Sequence, residues 1–365
     1  MANNRIYYAI QQVSMGTGNQ PARGLQSVGI TTNFNLEQVF ELGQLALYQN
    51  VETVPEIEVT LNKVLDGYPT LYVLATEAGT NLGTFVATST NLAGRSNARV
   101  DLKLGIWNDT QVSVSGNSII QVVCSGMYVS SVSYTFPVDG NFTEDVTLVG
   151  NNKVWGGTLA ANAAFQNNDD EPGTDEGVGR RQYLKMDTCI FPTDIAGISS
   201  SGTNNILPSG SGFSAHFQNI TISTDLGRES INELGTLAPY HRYVTFPVEV
   251  TCEFEVVSTS GDQINATESG YYTGDPSYGG ATSIAGAATP KCNPRFNIQD
   301  QKIFIETCEG TKICLGKRNK LTSVNYTGGD TGGGNVAVTY SYSNFNDFDV
   351  AHASGLLFQT VNCSG

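Results

Sequence analysis

Charge is scarce in this chain: charged residues make up 15% of 365, against roughly 25% in an average soluble protein. Cations are scarcer still, with 19 Lys and Arg against 34 Asp and Glu and a net charge of −15. A chain so acidic repels phosphate backbones, which excludes nucleic-acid binding through a basic patch. The low charge fits either a surface covered by neighbouring subunits or a neutral surface of Ser, Thr and Asn. No stretch approaches eighteen apolar residues, so no membrane-spanning helix is expected. Met1-Ala2-Asn3-Asn4-Arg5 lacks the apolar run of a secretory signal.

Chemistry-bearing residues are equally sparse. The three histidines, His216, His241 and His352, lie far apart, and none pairs at metal-ligand spacing. His241, between Tyr240 and Arg242, reads as a satisfied surface or interface histidine. Seven cysteines (Cys124, Cys189, Cys252, Cys292, Cys308, Cys314 and Cys363) include no CxxC pair. Free thiols are the expectation, with oxidation between subunits as the alternative. No GxSxG, HExxH or GKS/GKT sequence occurs. Gly328-Gly329-Asp330-Thr331-Gly332-Gly333-Gly334 lacks the Lys and hydroxyl that reach phosphate and magnesium, so it predicts a hairpin tip. No catalytic residue, cofactor site or metal site follows from the sequence, and an enzyme is not expected.

What is present is repetition. Gln26 to Pro55 aligns without a gap on Gln218 to Pro247, 192 positions later, with twelve of thirty residues identical. Chance would supply about two. Glu41-Leu42-Gly43 falls on Glu233-Leu234-Gly235, and Tyr48 on Tyr240. The same shift returns where Ser131-Val132 and Tyr134-Thr135 fall on Ser323-Val324 and Tyr326-Thr327. A register held over that distance predicts two copies of one domain. The expected division is 1–155, an acidic, Gly-containing linker over 156–182, and a second domain over 183–365.

Forty glycines, with abundant Asn, Ser, Thr and Val, favour strands joined by tight turns. Ile57, Val59 and Leu61 alternate with Glu58, Thr60 and Asn62. Val250, Cys252, Phe254 and Val256 alternate with Glu249, Thr251, Glu253 and Glu255. This period of two gives each strand one apolar and one polar, largely acidic face. Further strands are expected at 99–104, 119–124, 128–136, 146–149, 213–223, 301–306, 312–315 and 336–342. Glu37 to Tyr48 reads as strand, bend, strand, because its counterpart carries Pro239, which would break a helix. A short helix is expected over Pro69 to Ala78, where Leu71, Leu74 and Ala75 share a face. The long insertions at 199–212 and 259–290, the latter with Tyr271, Tyr272 and Tyr278, read as contact loops. The acidic face of Glu58, Glu249, Glu253 and Glu255 is either an ordinary solvated surface or a wall that a passing polyanion must not wet.

Tyr7-Tyr8-Ala9-Ile10-Gln11-Gln12-Val13, Gly24-Leu25-Gln26-Ser27-Val28-Gly29-Ile30, Phe40-Glu41-Leu42-Gly43, Pro55-Glu56-Ile57-Glu58-Val59-Thr60 and Val132-Ser133-Tyr134-Thr135-Phe136-Pro137-Val138 together resemble a family of phage virion proteins of the tail-tube type. The resemblance covers most of residues 5–155, and the second copy follows it more loosely, without the Phe-Pro-Val after Tyr326-Thr327. It implies a mainly β fold of two tandem tail-tube-like sandwich or barrel domains, each with a short flanking helix. It further implies a virion subunit, made in the host cytoplasm, that self-assembles into stacked rings through which viral DNA passes without sequence-specific contact. Two domains per chain predict a trimeric ring with pseudo-sixfold symmetry, a hexamer being the alternative. Implied partners are further rings and sheath, baseplate and tail terminator proteins. The acidic face would line the channel, and Tyr271, Tyr272 and Tyr278 would sit in inter-subunit loops. A baseplate, hub or head-decoration protein, or a carbohydrate-binding adhesin with tandem β domains, would share many of these features.

Overall fold

The computed structural model describes residues 4–16, 18–77, 91–161, 177–185, 194–195, 198–199, 217–236, 238–257, 300, 302–328 and 335–352. Strands dominate, as the turn-rich composition predicts. The first are β1 (Gln11–Met15), β2 (Gln20–Pro21), β3 (Leu25–Asn33), β4 (Leu36–Phe40), β5 (Leu47–Glu52) and β6 (Glu56–Val64). Helices α1 (Leu71–Glu77) and α2 (Leu92–Arg95) precede β7 (Val100–Ile106), β8 (Ile120–Pro137), β9 (Thr143–Gly150) and β10 (Asn152–Trp155). After the short β11 (Asp194–Ile195) and β12 (Ile198–Ser199) come β13 (Phe217–Asp225), β14 (Arg228–Ile231), β15 (His241–Val244) and β16 (Glu249–Val257). The last are β17 (Phe304–Glu306), β18 (Thr311–Cys314), β19 (Lys320–Thr327), β20 (Ala337–Phe345) and β21 (Asp349–His352).

Twelve strands join one sheet, organised by β8. Its N-terminal half pairs with β7 and β10, and its C-terminal half with β9 and β13. Two strands were expected here, over 119–124 and 128–136, and the structure joins them into one. Gly126 adopts φ +65, a conformation open to glycine, so the strand bends between its two sets of partners without ending.

Eight strands then run in an unbroken antiparallel order, β3-β6-β9-β8-β13-β16-β20-β19. The pairing of the first four recurs in the last four. Ile30 opposite Val59 recurs as Ile222 opposite Cys252, and Val59 opposite Leu148 as Cys252 opposite Tyr342. Val132 opposite Val146 recurs as Val324 opposite Tyr340. The register breaks recur too. Those between Leu25 and Ser27 and between Val129 and Ser131 return between Phe217 and Asn219 and between Leu321 and Ser323.

The segment expected to be strand, bend, strand is the β4–β5 hairpin, and its counterpart is β14–β15. Gly43 and Gly235 both take positive φ at the turns, +103 and +93. Thr53 Oγ1 donates to Asn35 O, and Thr245 Oγ1 to Gly227 O, each at 2.7 Å. The hairpins differ in what they touch. β14–β15 lies against the first half of the chain, held by Arg228, which donates to Val129 O at 2.7 Å and Ser96 O at 2.6 Å. Its guanidinium also stands over the Tyr128 ring, and burial lowers its pKa to about 10. Tyr128 and Asn97 hold the buried His241 ring from either side. Arg228→Met keeps much of the stem and leaves these carbonyls unpaired, so a loss of about 2 kcal/mol in urea unfolding is expected.

One hydrophobic cluster draws on both sheet regions, from Val13 and Leu102 through Tyr134 and Leu148 to Phe254 and Tyr342. Helix α1 falls within the expected 69–78 and buries Leu71, Leu74 and Ala75 in it. Glu144 Oε1 and Oε2 receive the Tyr72 and Leu71 backbone N–H groups, which no helical carbonyl can satisfy at a helix start.

The expectation of free thiols holds for Cys124, Cys252 and Cys308 and fails at Cys314. Cys314 is disulfide-bonded. Apart from Ser199, which ends β12, the insertions 199–212 and 259–290, with Tyr271, Tyr272 and Tyr278, lie outside the described residues, as does most of the linker.

Candidate functional site: an acidic, hydroxyl-rich sheet face

Strand alternation sorts the eight-strand run into a buried and an open face. On β6, Ile57, Val59 and Leu61 are buried while Glu58 and Thr60 are exposed. On β16, Val250, Cys252, Phe254 and Val256 are buried, Glu249 and Glu253 are exposed, and Glu255 is half-buried. The four glutamates singled out from sequence therefore all point to the open face. They do not form one cluster. Between β6 and β16 stand β9, β8 and β13, so Glu58 lies four strand spacings from Glu249, about 19 Å.

The intervening open-face positions carry residues that sequence reasoning missed: Asp145 and Thr147 on β9, Ser131 and Ser133 on β8, Ser223 and Asp225 on β13. Cross-strand hydrogen bonds tie this face together. Ser223 Oγ meets Thr251 Oγ1 at 2.7 Å, Asn62 Nδ2 donates to Asp145 Oδ1 at 2.7 Å, and Ser341 Oγ donates to Glu253 at 3.2 Å. A shallow trough of about 550 Å³ crosses its centre from Asp145 and Ser133 over Ser223 and Asp225 to Glu249 and Thr251. The signal for these positions was the alternation of hydroxyls with aliphatics in Ile220-Thr221-Ile222-Ser223 and Val146-Thr147-Leu148.

Cations are nearly missing from the eight strands. Lys63 is buried, bonded to Asp66 Oδ1 and Arg23 O at 2.6 Å each. Lys320, at the start of β19, is the other, and it pairs with Asp300 at 2.7 Å. Among the described residues, no group of three or more His, Cys, Asp or Glu side chains is placed to hold a metal ion. Chemically, the face offers spaced carboxylates and hydroxyl groups that hydrogen-bond one another and water. It repels a polyanion without gripping it.

No family model matches the chain, and no curated protein matches it. Eighteen chains among solved structures do. One is the sheath/tube terminator, in the extended state, of the extracellular contractile injection system PVC; it is 14% identical, with a TM-score of 0.31, and the match covers 43% of this chain and 100% of that one. A second is the tube-terminating cap of the anti-feeding prophage, 13% identical, TM-score 0.30, covering 44% of this chain and 95% of that one. A third, from the PVC sheath–tube complex in the extended state, has the same identity, score and coverage as the second. The chain is thus distantly similar, over less than half its length, to components of phage-tail-like injection machines.

Proposed function

We propose that this chain is a structural subunit of a phage-tail-like assembly, and more narrowly a tail tube subunit. Its eight-strand sheet lines a channel for viral DNA. The observation that carries this reading is the open face: eight antiparallel strands wide, set with carboxylates and hydroxyls, and with a single cation, Lys320, already paired to Asp300. Duplex DNA moving past such a wall meets like charge and finds no anchoring contact.

Two four-strand runs of matching register support reading the chain as two copies of a module. Three chains then supply the six modules expected for a ring. Rings stack through the hairpin tips: Leu42 and Leu234 are fully exposed at equivalent turns, each within a Glu-Leu-Gly-x-Leu-Ala sequence present in both copies. Identical apolar tips this exposed suit the same partner surface twice.

Purified protein viewed by negative stain should show rings or tubes with a central channel. A strictly monomeric protein with a saturable glycan site would sink the reading in favour of an adhesin. Copy number per particle separates tube from terminator or cap: a tube subunit is present in many rings, a terminator in one.

A further inference from the structure

The geometry points to a specific chain-to-chain seam, in which β19 of one copy pairs antiparallel with β3 of the next and hairpin β4–β5 closes over the joint. The template lies inside the chain. At the internal junction β8 pairs with β13, with Val132 opposite Thr224, Ser133 opposite Ser223, Tyr134 opposite Ile222 and Thr135 opposite Thr221. Strand β19 repeats β8, and β3 repeats β13, in pairing partners, register breaks and the 192-residue offset. Among the described residues, each of these two strands has a partner on one side only. An unpaired edge presents a row of backbone donors and acceptors that pairs readily with another chain. Here the two bare edges are the two halves of a junction the chain already makes.

Burial supports the assignment. Tyr134 is 0% exposed at the internal junction, and its counterpart Tyr326 is 54% exposed. Ile220 and Ile222 are fully buried, while their counterparts Val28 and Ile30 are only partly covered. Leu226, whose N–H donates to Ser130 O at 2.8 Å, is 2% exposed. Its counterpart Phe34 is 72% exposed. Every residue of β4 and β5 is exposed, whereas the equivalent β14–β15 hairpin is anchored on the first half through Arg228, His241 and Arg242. The side chains left bare in a single copy are those whose counterparts the internal junction covers. A second copy of this chain is therefore the occupant.

Transferring the internal register gives Val324 opposite Thr32, Asn325 opposite Thr31, Tyr326 opposite Ile30 and Thr327 opposite Gly29 of the neighbouring copy. Phe34 N–H donates to Thr322 O of that copy, as Leu226 does to Ser130. This seam rests on the ring reading above, and its test separates the two.

Two double variants, Thr31→Cys with Asn325→Cys and Thr32→Cys with Val324→Cys, are purified as full chains and oxidised after assembly. Adjacent cross-strand pairs alternate between wide and close spacing, so one of the two is of the close class that disulfides accept. The expected result is a non-reducing ladder of covalent chain multiples for at least one variant. Wild type and a displaced pair, Ser27→Cys with Asn325→Cys, should give no ladder. Rings by negative stain with no ladder from either variant would overturn the seam and leave the tube reading standing, as would equal cross-linking of the displaced pair. A chain that stays monomeric by light scattering, with no rings, would overturn both.

Discussion

Glu144→Ala should lower the stability of the fold by about 4 kcal/mol, read as a shift of the urea midpoint at unchanged slope. Glu144 is fully buried on β9 and accepts three hydrogen bonds, from Leu71 N–H at 2.5 Å, Tyr72 N–H at 2.9 Å and Tyr134 Oη at 2.8 Å. The first two are helix-start donors that have nowhere else to go. Alanine leaves all three groups buried without an acceptor, and each stranded group costs about 1–3 kcal/mol. Burial pushes the Glu144 carboxyl above the usual carboxylate range, opposed by these same donors and by Lys63. Its ionisation therefore works against the fold as pH rises past that range, and the hydrogen bonds offset the cost. Glu144→Gln should fall between wild type and alanine, because its amide oxygen still accepts while its NH2 faces a donor. A midpoint unchanged in Glu144→Ala would mean that α1 is not pinned through this carboxylate.

His352 should make the protein acid-sensitive. Desolvation lowers its pKa from 6.5 to about 4, with Lys63 adding to the shift and the backbone oxygen of Asp66 opposing it. A histidine with a depressed native pKa costs nothing above its unfolded value, where both states are neutral. As pH falls from 6.5 towards 4, the unfolded chain takes up the proton and the native state does not, so stability drops by about 3 kcal/mol across that window. Below pH 4 both states are protonated and this contribution levels off. Urea unfolding at pH 7, 5.5 and 4.5 should show the decline in wild type and a shallower one in His352→Gln. Parallel profiles for the two proteins would assign the acid response to other groups.

Much of the architecture was legible because it rests on local rules. Pro239 excluded a helix from the second hairpin and, through the repeat, from the first. Leu71, Leu74 and Ala75 gave α1 by spacing alone. The alternation around Glu58 and Glu253 placed them on an open face. Other features depend on partners distant in sequence. Gly126 reads as a break between strands, and only the partners on either side, β7 and β10 then β9 and β13, show that β8 continues through it. The pairing of Cys314 has no local signal, since spacing does not reveal disulfide connectivity. Ser133, Ser223 and Thr251 fell within expected strands, yet nothing local shows that β9, β8, β13 and β16 stand side by side and bring these hydroxyls onto one face. The gapless sequence match between Gln26–Pro55 and Gln218–Pro247 ends at Pro247. Beyond it the later strand run is one residue longer, so in the pairing register Glu58 matches Thr251, not Val250.

The C-terminal half of β8 has a consequence for biosynthesis. Its second partner, β13, begins at Phe217, eighty residues after Pro137. A growing polypeptide therefore displays that ladder bare while the intervening stretch is translated. Strands of the same pattern on other nascent copies could occupy it first. The chain's own β13 is tethered nearby and meets the ladder at a far higher local concentration than any stranger does. Because β8 and β13 belong to one chain, their pairing within that chain is favoured over pairing between nascent copies.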